Sequence, residues 1–199
     1  GKMEFDVVFQ NIQANQESFF GRRYQIYHVV DFIITRYFKQ DLKATLPLIV
    51  LQPQKELPDS RPIKKTLRFN GLSINIATDK SIYSTTDNIE GEVSFFGEFD
   101  SDLVSLDLKI IREESIPNES PDRVKRWTAV DHQIAEGSPR PGSRIPFRVG
   151  LQTLKLWTST NSGIRDVHVA YLAEFSAKGR SGGLVSVSYP IIIVRVSLD

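Results

Sequence analysis

From Leu72 onward the chain alternates in twos. Leu72-Ser73-Ile74-Asn75-Ile76 exchanges apolar for polar residues at every step, as do Asn88 to Phe95 and Val104 to Ile110. A period of two places every second side chain on one face, which is the geometry of a half-buried strand. An amphipathic helix needs apolar residues three and four apart, and no stretch shows that spacing convincingly. Trp127 to Ile134, Ile145 to Leu151, Val167 to Phe175 and Leu184 to Val196 read as further strands. Turn signals separate them: Asp79-Lys80, a polar loop from Glu113 to Asp122 holding Pro117 and Pro121, and the run Glu136-Gly137-Ser138-Pro139-Arg140-Pro141-Gly142. The pattern specifies an all-β protein, and a sandwich of two sheets is its simplest solution.

The first part of the chain is β-like too, but interrupted. Phe5-Asp6-Val7-Val8-Phe9 and the long β-branched and aromatic run Tyr24 to Thr35 read as strands. Leu42 to Leu51 is another, and Pro47 within it indicates an edge position or a bulge. Pro53, Pro58 and Pro62 then stand among polar residues, which makes a semi-rigid connection. The expected organisation is a first unit at 1–51, a linker at 52–66 and a second sandwich at 67–199. No internal repeat is visible.

Composition excludes several classes. Lys+Arg number 25 against 24 Asp+Glu, a net charge of +1, which argues against a dedicated nucleic-acid binder. With no cysteine there is no disulfide, thiolate zinc site, iron–sulfur cluster or thiol nucleophile. His28, His132 and His168 are too scattered for an all-histidine metal site. No apolar run reaches the ~18 residues of a membrane helix. Gly1-Lys2-Met3-Glu4 has no apolar core of a signal peptide and is expected to be a processed end. No P-loop, GxGxxG, HExxH or GxSxG occurs. No metal, cofactor or catalytic residue is therefore expected.

Four constellations remain. Asp166 and His168 share a strand face and could be a base with its orienting carboxylate, or simply a surface pair. Trp127 and Trp157 suit a sugar-stacking platform on a carbohydrate-binding sandwich, or core packing. Arg123-Val124-Lys125-Arg126, and Lys64-Lys65 with Arg68, are basic patches facing an acidic lipid or acidic partner loop, or plain solvent. The tip Ile134-Ala135-Glu136-Gly137 sets an apolar residue beside a Gly/Pro-rich exposed turn, a pattern that often marks a protein contact.

The stretch from Gln133-Ile134-Ala135-Glu136-Gly137 through Gly142-Ser143-Arg144-Ile145-Pro146-Phe147-Arg148 resembles a family signature, I-x-[DE]-G-x-x-x-x-G-x-x-[IV]-P. It belongs to the arrestin-like subunits of retromer and its relative retriever, the vacuolar-protein-sorting 26 family. Glu17-Ser18-Phe19-Phe20-Gly21 with Arg23-Tyr24, Lys80-Ser81-Ile82-Tyr83 with Ile89-Glu90-Gly91-Glu92-Val93, and Leu106 to Glu113 resemble its other motifs in the same order. Tyr37 to Lys43 looks nearer to the retriever branch. Family chains begin well before the residue matching Gly1, so most of the N-terminal sandwich is expected to be missing here.

The resemblance implies an arrestin-like, immunoglobulin-type β-sandwich as the C-terminal domain, preceded by the last strands of a truncated N-terminal sandwich. It implies a non-catalytic adaptor without cofactor, cytoplasmic and peripheral on endosomes, reaching the membrane only through partners. The loop matching Ile134, Ala135, Glu136 and Gly137 would dock on an α-solenoid scaffold subunit. Sorting nexin and cargo tails would engage the cleft between sandwiches, cargo partly by adding a strand to an exposed edge. The exposed first strands leave a homodimer open as an alternative.

Overall fold

The computed structural model describes residues 18–22, 25–50, 59–97, 103–116, 118, 120–137, 139–140, 142–151 and 168–195. The chain divides into two compact units, Gly1–Gln52 and Pro53–Asp199. No α-helix occurs among the described residues, and a single 3-10 turn covers Pro121–Arg123.

The first unit holds two small antiparallel sheets. β1 (Phe19–Phe20) pairs with β2 (Gln25–Ile26), and β3 (His28–Ile34) pairs with β4 (Leu42–Leu48). The run expected as one strand from Tyr24 is thus divided at Tyr27 between two sheets. Pro47 lies on β4, which among the described residues pairs only with β3, an edge position of the kind that tolerates proline. Ser18 ties the ends together: its N–H donates to the Val50 carbonyl at 2.7 Å, and its Oγ accepts from the Val50 N–H at 2.9 Å.

The second unit is a sandwich. One sheet has the order β11-β8-β6-β5, formed by β5 (Ile63–Phe69), β6 (Leu72–Thr78), β8 (Asn88–Gly97) and β11 (Arg144–Gly150). The other has the order β10-β9-β12-β13-β7. It contains β7 (Ile82–Ser84), β9 (Leu103–Ser115), β10 (Lys125–Glu136), β12 (His168–Gly179) and β13 (Leu184–Val194). The pairings are antiparallel except β13 with β7. β5 begins at Ile63, inside the segment expected as linker. β9 runs to Ser115, so Glu113 and Glu114 are strand residues rather than the start of a loop.

The alternating residues meet between the sheets. Ile74, Ile76, Val93 and Phe95 from one sheet and Leu106, Leu108, Ile110 and Tyr171 from the other are essentially fully buried. Each such side chain removed from water is worth ~1.5–3 kcal/mol. An aromatic ladder crosses the core: Phe147 meets Phe175 edge to face at 5.6 Å, and Phe175 stacks on Tyr189 at 6.1 Å.

Candidate functional site

The signature residues lie where β10 leaves its sheet. Among the described residues β10 pairs only with β9, and its register slips twice, between Thr128 and Val130 and between Gln133 and Ala135. Each slip is a β-bulge, at Ala129 and Ile134. A bulge inserts one unpaired residue and resets the in–out alternation. Gln133 therefore faces solvent, Ala135 turns into the core at 9 % exposure, and Ile134 is half-buried at the free edge between them. The sequence pattern reads Ile134 to Gly137 as a tip beside an exposed turn. The bulge, which no composition signal announces, draws Ile134 and Ala135 in.

Beyond Ala135 the chain passes from one sheet to the other. Glu136 is exposed, and Gly137 takes φ +74°, where a Cβ would be strained. The Gly137 N–H donates to the Val104 carbonyl of β9 at 2.7 Å. At the far end the Gly142 N–H donates to the Phe95 carbonyl of β8 at 2.9 Å. Ser143 closes a turn on the Arg140 carbonyl through its N–H at 3.1 Å and its Oγ at 2.7 Å. The crossover is thus pinned to both sheets, and Arg140 is exposed between the pins.

A second polar feature was invisible in the sequence. Arg112 and Glu114 point inward along β9, and Arg112 Nη2 donates to Glu114 Oε1 at 2.7 Å with both residues buried. The Arg112 guanidinium also lies 5.3 Å from the centre of the Trp127 ring. Trp127 is half-buried, and the face toward Arg112 is already occupied by a cation. The only hint was three charges, Arg112-Glu113-Glu114, at the end of an apolar strand.

The other candidates do not converge. Trp157 and Asp166 lie outside the described residues. His168 opens β12 and is exposed, and His132 is half-buried in β10. His28 Nδ1 is 3.1 Å from Ser18 Oγ in the first unit. Among the described residues no group of three or more His, Cys, Asp or Glu is placed to hold a metal ion. No described helix is long and apolar enough to cross a membrane. Burial lifts the Tyr189 hydroxyl to about 12 and the Tyr83 hydroxyl higher still, aided by the Asp79 charge. Both tyrosines are core supports: Tyr83 donates to the Lys80 carbonyl at 2.6 Å, and Tyr189 to Thr78 Oγ1 at 3.3 Å.

An all-β sandwich of two sheets, with the β10–β11 crossover pinned to both, is consistent with the arrestin-like β-sandwich class. Residues 1–175 match the model of the vacuolar protein sorting-associated protein 26 family, and the chain belongs to that family. It is a family of non-catalytic trafficking adaptors that act in retromer-type vacuolar protein sorting. Among curated proteins, none matches the sequence. Among solved structures the chain is similar to the sporulation control protein Spo0M of Bacillus subtilis. The identity is 17% and the TM-score 0.49, over 63% of this chain and 50% of that one. The chain thus spans half the length of that protein.

Proposed function

We propose that this chain is a non-catalytic adaptor subunit of an endosomal cargo-retrieval complex of retromer or retriever type. In this reading residues 134–137 dock on an α-solenoid scaffold subunit, and the protein is cytoplasmic and peripheral on endosomes. One observation carries it. The Gly137–Ser143 crossover is held at both ends by backbone bonds to Val104 and Phe95, next to the half-buried Ile134 at a bulge. Ends fixed in this way beside a small apolar spot lower the entropy lost on binding, which favours a specific protein contact.

The domain reading goes with it. Residues 1–51 would supply the last strands of an N-terminal arrestin-like sandwich, and the C-terminal sandwich would follow the linker. Sorting nexin and cargo would engage elsewhere, cargo by strand addition. Of the sandwich edges, β11 is interrupted by Pro146, β10 by its two bulges, and β7 has three residues. β5 has an unbroken register and is the edge best suited to an added strand.

The test is a direct binding assay with a retromer or retriever scaffold subunit, comparing wild type with Ile134→Asp and Glu136→Lys. Both should bind at least tenfold more weakly. Glu136 is exposed, so Glu136→Lys should keep the wild-type melting temperature and separate binding from folding. Equal affinity in all three would reject the loop as the docking site. A second reading, self-association through the first unit, is favoured by Val29, Ile33 and Leu46, each more than half exposed on β3 and β4. Sedimentation velocity of wild type and Ile33→Lys decides it: a dimer lost in the variant supports it, and a wild-type monomer rejects it.

A further inference from the structure

The near-zero net charge conceals a polarised sandwich. Strand register fixes which side chains face out from each sheet. The outer face of the five-stranded sheet carries the acids Asp107, Glu113, Asp131, Glu136 and Glu174. Its bases are Lys109, Arg126 and Lys178. The outer face of the four-stranded sheet has the reverse balance, with Lys64, Arg68, Arg144 and Arg148 against Glu90 and Glu92.

The excess on that second face sits on one strand. Arg148 and Arg144 are held by Glu90 at 3.1 Å and Glu92 at 3.8 Å. Lys64 and Arg68 are exposed and have no ion-pair partner among the described residues, whereas Lys65, in phase with buried Leu67, stays at the wet rim of the edge strand. Exposed Arg61 precedes them, and no acid occurs from Arg61 to Phe69. Lys64 and Arg68 share the outer face, about 13 Å apart along the strand. Beside β5 an open trough of about 540 Å³ is lined by Asn75, Ala77, Ser94 and Glu92, whose carboxylate is 3.8 Å from Arg144. At one end Arg68 pairs with Ser73 and Ser73 with Phe96, an aromatic residue 45% exposed on this same face.

We propose that the outer face of the β11-β8-β6-β5 sheet binds an anionic lipid bilayer directly, with Lys64 and Arg68 against the headgroups and Phe96 at the interface. Unpaired cations clustered on one side attract acidic lipid, each worth about fivefold in partitioning. The acidic opposite face is repelled, so the same charges orient the domain. An exposed aromatic beside the cations is the side chain that settles at headgroup level. This contact is separate from the proposed scaffold loop, and neither depends on the other.

The experiment is co-sedimentation of the full chain with phosphatidylcholine vesicles, with and without phosphatidylserine. Wild type should bind only the phosphatidylserine vesicles, and salt should release it. The double variant Lys64→Glu, Arg68→Glu should lose binding roughly 25-fold. Lys178→Glu, on the opposite face, should bind as wild type. Phe96→Ser should bind more weakly with an unchanged salt dependence. If the double variant does not fold by circular dichroism, Lys64→Glu and Arg68→Glu singly, each expected to lose several-fold, replace it. Failure of wild type to bind, equal binding to both vesicle types, or wild-type binding by the charge-reversed protein overturns the proposal. An acidic protein as the true ligand would give the first of these outcomes. Scaffold affinity, measured in parallel, should be unchanged in every variant.

Discussion

The Phe147 ring lies over Gly91, its cross-strand partner, in the space a side chain at 91 would fill. A Cβ there would also collide with the Ala77 carbonyl oxygen on the neighbouring strand. The absence of a side chain at one position thus lets a core aromatic from the next strand reach Phe175 on the opposite sheet.

Gly91→Ala should therefore destabilise the sandwich by about 2 kcal/mol through overpacking, and Gly91→Val by more. Urea unfolding measures it. Phe147→Leu in the Gly91→Ala background should recover part of the loss, whereas additive losses would show that the ring is not the obstacle.

Stability should fall in alkali because of Tyr189. Its hydroxyl is raised to about 12 by burial, while in the unfolded chain it titrates near 10. Above pH ~10 the unfolded state loses the proton and the folded state keeps it, so its share of stability, complete below that pH, declines up to about 12. The limiting slope is about 1.4 kcal/mol per pH unit. Denaturation of Tyr189→Phe between pH 8 and ~11.5 should show a shallower decline than wild type, while Tyr83 still contributes in both. Identical slopes would show that Tyr189 is accessible to hydroxide.

Removing one half of the Arg112–Glu114 pair should cost about 3 kcal/mol, because the remaining charge stays buried. Replacing both, as Arg112→Met with Glu114→Leu, should cost clearly less than the two single changes summed. Melting curves of the three variants check this, and an additive double variant would mean the partners do not sense each other.

Gly137→Ala forces a Cβ into the left-handed region and should cost roughly 1 kcal/mol, with Gly137→Asn costing less. The crossover would then relax at one of its two pins. Scaffold binding should weaken more in the alanine variant than in the asparagine one. Unchanged affinity in both would mean the loop conformation is irrelevant to docking.

The alternation that announced β6, β8 and β9 was legible because both sheets bury one face and expose the other. What failed to show had a common cause: it depended on neighbours distant in sequence. Lys64-Lys65-Thr66 breaks the pattern because β5 is an edge strand whose rim stays wet, so those residues read as linker. Glu113-Glu114 reads as loop because a buried carboxylate makes sense only once Arg112 is seen beside it. The bulge at Ile134 follows from the partner's register, which is absent from a single run of residues. The signature containing Ile134 to Gly137 was readable by resemblance, and its pinning to Val104 and Phe95 was not.

The parallel pairing of β7 with the end of β13 matches Ile82 to Ile192 and Ser84 to Val194. During synthesis, β7 leaves the ribosome long before the strand that completes its sheet exists. β12 and β13 are likewise made after the other described strands, yet both lie inside that sheet. β5, β6 and β8 can pair early, but their apolar inner face then waits uncovered. Folding of this unit is thus bound to the synthesis of β12 and β13 and to contacts of long sequence separation, which close on the millisecond-to-second scale. The nascent four-stranded sheet is the stage at which a chaperone would matter most.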